Sequence, residues 1–178
     1  IGLTKVVVAK MAEFRSMIGL YNPKGSENVG SVMRAAGCYV ANAVYYTGQR
    51  YDRAARFSTD TQNIRSQIPL IPVDDLVLAA EEGVSIVCVE LALGAIPLPQ
   101  FRHPQRALYL FGPEDGTLPQ SVIDRADATV FIPTSGCMNL AATFNFLLYE
   151  RMSKFAQEDD YESLIKKSRD TNNRVRAR

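Results

Sequence analysis

Apolar residues recur along this chain at two spacings, and the alternation between them predicts an α/β domain. Met17-Ile-Gly-Leu-Tyr21 is a short run suited to a buried strand, followed by the turn-forming Asn22-Pro-Lys-Gly-Ser-Glu27. From Asn28 the apolar Val29, Val32, Met33, Ala36 and Val40 return at helical intervals, which predicts a helix over 28–40 with Asn28 as its N-cap. Ala43–Tyr46 reads as the next strand, and the polar run 48–67 as loop and short helix. Asp74 is placed to cap a helix that stops at Gly83, and Val84–Glu90 and Ala107–Phe111 follow as strands. Thr117-Leu-Pro-Gln120 has the spacing of a capping box, opening a helix that runs to about Arg125. Thr129–Ile132 is a further strand. Asn139–Phe155 is a long helix, apolar almost all round between Leu140 and Tyr149, and is therefore expected to be buried on more than one side. Strands alternating with helices predict a mostly parallel sheet with helices on both faces, and ligands at the strands' carboxyl ends.

The 178 residues suffice for one such domain and a short tail. No stretch approaches the roughly 20 apolar residues of a membrane span, so no membrane partner is expected. Ile1 rather than Met opens the chain, which points to a start inside a longer one. Cys38, Cys88 and Cys137 are odd in number and unclustered, which argues against a disulfide scaffold or a zinc site. They suit small apolar residues kept reduced in a cytoplasm. His103 is the single histidine and sits in the Pro-rich stretch from Pro97 to Pro104, so no multi-histidine metal site can form. No metal is expected.

The net charge of +1 hides an asymmetry. Residues 163–178 carry six Lys/Arg against Asp170 alone, a net +5 that leaves −4 on the rest of the chain. The expectation is a domain over 1–162 and a basic, flexible tail over 163–178 suited to phosphate backbones. A tail that merely solubilises remains the alternative.

The chain has no Gly-rich dinucleotide fingerprint after its first strand and no phosphate loop ending in Gly-Lys-Ser/Thr. Instead, three polar segments lie where strands end: Asn28-Val-Gly-Ser-Val-Met-Arg-Ala-Ala36, Phe111-Gly-Pro-Glu-Asp-Gly-Thr-Leu118 and Ile132-Pro-Thr-Ser-Gly-Cys-Met-Asn-Leu140. In these segments the chain resembles the SpoU/TrmH family of RNA methyltransferases in the SPOUT superfamily. Asn28, Gly30, Arg34 and Ala35 fit the family's first motif. Phe111, Gly112, Glu114 and Gly116 fit its second, with one extra residue before Leu118. Ile132-Pro133, Asn139 and Leu148-Tyr-Glu150 fit its third. The three matches, in order, cover about residues 17–152.

The resemblance implies a C-terminal deep trefoil knot over about 107–150 and S-adenosylmethionine as cofactor. It implies that backbone atoms at Glu90, Leu91, Gly112, Ile132 and Met138 line the adenine and ribose pocket. It further implies a transfer to a ribose 2′-hydroxyl of tRNA or rRNA, tRNA being favoured, by a homodimer joined through the knot helices. Arg34 is the catalytic candidate, with Asn28, Glu114 and Asn139 around it. An arginine with a pKa above about 12 rarely yields a proton, so Arg34 is expected to grip a phosphate and favour the developing alkoxide, paired with Glu114. Arg50, Arg53 and Arg56 are the candidate RNA contacts, together with the tail. Cys137 and Ala141 stand where the family often has Ser, and the stretch between Pro133 and Asn139 is short. Thr143 is a candidate to replace the lost hydroxyl, and a weakly catalytic or non-catalytic RNA-binding protein stays open as the alternative.

Overall fold

Side chains of a strand alternate between its two faces, and here both faces of every central strand are apolar. A computed structural model describes residues 14–55, 68–155, 161–170 and 172–177. The described strands are β1 (Ser16–Leu20), β2 (Ala43–Tyr46), β3 (Leu70–Pro72), β4 (Ser85–Val89), β5 (Ile96–Pro97), β6 (Ala107–Phe111) and β7 (Ala128–Phe131). They form a seven-stranded sheet in the order β3-β2-β1-β6-β4-β7-β5, and every pairing is parallel. β6 lies between β1 and β4, with Ile18 opposite Tyr109 on one side and Val87 opposite Tyr109 on the other.

One face carries Ile18, Leu20, Val87, Val89, Tyr109 and Phe111. It is covered by α1 (Ser26–Cys38), through Val29, Val32, Met33 and Ala36, and by α4 (Leu140–Phe155), through Phe144, Leu147 and Leu148. The two helices pack on each other, and the rings of Phe111 and Phe144 meet at 5.6 Å. The opposite face carries Met17, Ile86, Cys88, Leu108 and Leu110, covered by Leu76 from a turn and by Val122 of the one-turn helix α3 (Gln120–Ile123). α2 (Arg50–Ala55) follows β2, and α5 (Tyr161–Ser168) stands near the end of the chain.

The amino ends of the strands are tied to the end of α4 by a buried polar network. Arg151, 5% exposed, donates to the carbonyls of Pro104 (2.6 Å), Gln105 (2.7 Å) and Arg15 (3.4 Å) and to the Tyr109 hydroxyl (2.9 Å). Tyr109 Oη lies 2.6 Å from Nδ1 of His103, whose Nε2 lies 2.5 Å from Glu150 Oε2. Glu150 also pairs with Lys154, which caps the carbonyls of Leu98, Pro99 and Phe101. Burial pushes the Tyr109 phenol up to about 12, so it stays protonated and can donate to Nδ1. A neutral His103 with its proton on Nε2 then satisfies every partner. Burial holds His103 below its ordinary value, outweighing the opposite pull of Glu150, with Arg151 and Lys154 acting in the same direction as burial.

Several expectations need correcting. α1 starts at Ser26 with Gly25 as its N-cap, so Asn28 lies inside the first turn and is no cap. Glu114 supplies the acceptor there instead, as described below. No helix forms over 74–83; residues 76–79 make a turn in which Asp75, not Asp74, accepts from the amides of Val77 (2.8 Å) and Leu78 (3.2 Å). One turn does not overcome the cost of helix nucleation. Thr117 caps nothing, since α3 begins at Gln120 with Pro119 before it. β3 and β5 were too short to show an alternation. The tail expected over 163–178 begins with a helix, α5, which straddles the boundary placed after residue 162. α4 buries one side within this chain; Phe146 and Tyr149, both 57% exposed, leave its second apolar side uncovered.

Candidate active site

The carboxyl ends of β4, β6 and β7 diverge around a cleft of ≈ 320 Å³, and the first turns of α1 and α4 complete its wall. Parallel strands flanked by helices leave such a crevice because the chain must leave each strand end in a different direction. All five residues expected to hold a cofactor (Glu90, Leu91, Gly112, Ile132 and Met138) line it, as do Asn28, Glu114 and Asn139. Val89, Phe111, Pro113, Gly116, Phe131, Thr134 and Leu140 also line it without having been expected to hold a cofactor, and all but Val89 sit inside or beside the three segments.

Glu114 organises the entrance. Its carboxylate accepts from the amides of Lys24 (2.8 Å) and Gly25 (3.2 Å) and from Asn28 Nδ2 (2.9 Å). Partial burial by itself would raise its pKa. The bonds from Lys24, Asn28 and Gly25 outweigh that and hold the carboxyl below its ordinary value, so it is ionised. Two backbone N–H groups ahead of a helix thus find their acceptor 90 residues away rather than in a local cap.

Glu90 does the same at the other edge. One oxygen accepts from Leu118 N (2.9 Å) and the other from Leu91 N (3.0 Å). Gly112 sits between these strands of contact: a Cβ there would lie 3.0 Å from Leu118 N and 3.1 Å from Glu90 Oε2. Its lack of a side chain therefore serves the packing of its own loop as well as the approach of a ligand.

Asn139 is the N-cap that Asn28 is not, its Oδ1 accepting from Ala142 N at 2.7 Å. Its amide nitrogen stays available to the cleft. Thr143 lines the cleft too, but its hydroxyl donates to Asn139 O (3.0 Å). Ala141 is not among the lining residues, while Cys137 is. Glu150, the last residue of the third motif, lies at the opposite end of α4 with His103 and belongs to the tie at the strands' amino ends.

Arg34 does not meet Glu114. It is exposed on α1 and outside the cleft lining. Helix phase agrees with this: six residues at 100° each turn Arg34 by about 120° from Asn28, so the two side chains leave the helix in different directions. Arg50 is engaged rather than free, both terminal nitrogens meeting Asp115 at 2.8–3.0 Å. Arg53 is exposed and reaches Gln49 at 3.3 Å. Arg56 lies outside the described residues. Among the described residues no group of His, Cys, Asp and Glu is arranged to hold a metal ion, and no helix is long and apolar enough to cross a membrane. Cys38, Cys88 and Cys137 are all free thiols; burial pushes that of Cys88 up to about 12.

Residues 15–149 match the model of the SpoU rRNA Methylase family. This chain belongs to that family. Solved structures share the fold of the SpoU chain. An AdoMet-bound rRNA methyltransferase from Sinorhizobium meliloti superposes with a TM-score of 0.67 at 21% identity, over 80% of this chain and 57% of that one. The A. aeolicus TrmH/SpoU tRNA modifying enzyme gives 0.67 at 17%, over 94% and 96%. A protein studied for the 2-OH methylation of C/U34 on tRNA gives 0.65 at 22%, over 79% and 91%. The chain spans about six-tenths of the length of the SpoU methyltransferase AviRb from Streptomyces viridochromogenes, another structure it matches. No curated protein matches it.

The cleft suits the AdoMet found in the Sinorhizobium relative. Its volume falls within the roughly 300–1,000 Å³ of small-molecule sites. Ile132, Leu140, Leu91 and Val89 supply apolar surface for a purine, and a Cβ at Gly136 would meet nothing within 4 Å, leaving that loop open to a ligand.

Proposed function

We propose that this SpoU-family protein uses S-adenosylmethionine to methylate a ribose 2′-hydroxyl of RNA, with tRNA the favoured substrate, as a cytoplasmic homodimer without a metal. The observation that carries this reading is the convergence of Asn28, Glu90, Gly112, Glu114, Ile132, Met138 and Asn139 on one cleft from four separated stretches of the chain. The ribose and tRNA parts draw on the tRNA 2-OH methylation described for one structural relative and the tRNA modification described for another.

When bound, S-adenosylmethionine supplies an electrophilic methyl group. The chain's own part is to align it, exclude water and stabilise the oxygen that attacks. Leu91, Ile132 and Met138 would hold the adenine and ribose, with backbone at Glu90 and Gly112. Asn139 offers an amide to the substrate, and Glu114 keeps the entrance loop and Asn28 in place. We read residues 107–150 as a deep trefoil knot, a reading supported by β6 lying between β1 and β4 with β7 on the far side of β4.

Arg34 is assigned to gripping the RNA phosphate beside the target and favouring the developing alkoxide. It lies on the exposed stripe of α1 that includes Gly30 and Cys38, and α1 packs on α4, whose Phe146, Tyr149 and Met152 are uncovered. Pairing two copies through these helices would cover that apolar surface and present Arg34 to RNA lying across both copies. Arg53 and the basic residues from Lys166 to Arg176 would meet the phosphate backbone.

A second reading, a weakly catalytic or non-catalytic RNA-binding protein, is favoured by Arg34 standing outside its own cleft. Calorimetry with S-adenosylmethionine and tritium transfer to total tRNA and rRNA separate the two. The wild type is expected to bind the cofactor and label RNA, and Arg34→Ala to keep cofactor binding while losing labelling by about a hundredfold. No binding at millimolar cofactor would refute the methyltransferase reading. Binding without labelling would favour the second.

A further inference from the structure

The loop 112–118 forms one wall of the cleft without regular secondary structure. Its own backbone contributes a single turn bond, from Gly116 N to Pro113 O at 3.3 Å. Its position therefore depends on ties to other elements, and three carboxylates provide them. Glu90 holds the end of the loop at Leu118. Glu114 holds the segment ahead of α1. Asp115, between the cleft-lining Glu114 and Gly116, meets Arg50 with both oxygens, at 3.0 Å for Oδ1 and 2.8 Å for Oδ2. Lys24 Nζ adds a contact at 3.4 Å.

Arg50 is itself held. Its Nη1 reaches Asn22 O at 3.5 Å. Asn22 is in the left-handed region (φ 45°), with its N donating to Thr47 Oγ1 at 3.1 Å. Gly48 leaves room for this arrangement, since a Cβ there would lie 2.3 Å from Asn22 Oδ1. The loops after β1, β2 and β6 thus lock together through one guanidinium. An arginine with both terminal nitrogens committed to a carboxylate must break that fork before it can bind a phosphate in the same way.

We infer that Arg50 and Asp115 are positioning residues, a clasp that sets the 112–118 wall for the cofactor, and that Arg50 is not an RNA ligand. The inference rests on the cleft being the S-adenosylmethionine site. The clasp acts through Glu114 and Gly116 on either side of Asp115. Both side chains are partly exposed, at 31% and 47%, and surface ion pairs of this kind add little stability. Removing either should leave the fold intact and loosen only the wall.

The test compares wild type, Arg50→Ala, Asp115→Asn, the double variant and Arg50→Lys. It measures the cofactor dissociation constant by calorimetry, and KM for cofactor and for RNA in tritium transfer. Each single variant is expected to weaken cofactor binding about fivefold to tenfold, the double no more than the worse single, because the two act as one unit. Arg50→Lys should recover part of the loss. At saturating cofactor, kcat and the RNA KM should stay within about twofold of wild type. An RNA-contacting Arg50 would behave oppositely: Arg50→Ala would weaken RNA binding and Asp115→Asn, freeing the guanidinium, would strengthen it. That pattern, or unchanged cofactor binding in variants of a wild type that binds normally, overturns the inference alone. A wild type that binds no cofactor overturns the reading of the cleft, and this inference with it.

Discussion

The two ends of the sheet are both rich in polar groups, yet they close differently. At the amino ends, Arg151, Tyr109, His103, Glu150 and Lys154 form a chain in which each donor meets an acceptor inside the protein. At the carboxyl ends, Glu90, Glu114 and Asp115 also find partners, but those partners hold a wall around a cleft. The loop 133–137 is exposed there, and Asn139 keeps its amide nitrogen free of the cap it makes. A fully satisfied buried network rigidifies and leaves nothing to offer a ligand. A network that stops at the rim of a cleft leaves polar groups for one. The closed polar tie and the open cleft thus occupy opposite ends of the same strands.

The largest test of that contrast is Arg151→Met. Removing the guanidinium leaves three backbone carbonyls and a phenol short of a donor, and unfolding stability is expected to fall by about 3 kcal/mol. Cofactor affinity of the folded protein should not change. A drop in affinity with stability intact would erase the division between the two ends.

Acid should loosen the two ends in succession. His103 is held below its ordinary 6.5 in the folded protein, so above 6.5 neither state is protonated there and stability is full. Below 6.5 the unfolded chain takes up a proton that the folded chain refuses, and stability declines until the folded pKa is passed. Glu114 is held below its ordinary 4.5, so its contribution is present above 4.5 and is lost as pH falls below that value. Asp75 and Asp115, both held below 3.8, add to the lower window. Urea titrations across pH should show His103→Gln losing the upper slope and Glu114→Gln flattening the lower one. If His103→Gln leaves the slope just below pH 6.5 unchanged, the neutral histidine assigned to the buried tie is wrong.

Asn139 carries the smallest effect and separates its two tasks. Asn139→Ala should cost about 1 kcal/mol of stability as a lost helix cap. Asn139→Asp keeps an equivalent cap but removes the amide donor, so thermal unfolding should stay near wild type while methyl transfer falls. Equal loss of both in Asn139→Asp would show that the cap alone matters.

Much of this molecule could be read from spacing. The strands Ala43–Tyr46 and Ala107–Phe111 have the boundaries predicted for them, because buried strands on both faces make continuous apolar runs between polar loops. The three polar segments marked the cleft, since loops at strand ends are where ligands bind in such sheets. Helix phase also carried a warning in Asn28 and Arg34, whose separation of six residues sets them on different faces before any packing is considered. The partners of the charged groups were another matter. Glu114 was assigned to Arg34 and meets Lys24, Gly25 and Asn28; Arg50 was assigned to RNA and meets Asp115; His103 looked like part of a linker and lies buried against Glu150. Periodicity is a local property of ten or so residues, whereas these pairs are 47 to 90 residues apart in the chain. Which carboxylate reaches which amide depends on β6 entering the sheet between β1 and β4. Local pattern holds no information about that insertion, so the positions of the segments were readable and their bonds were not.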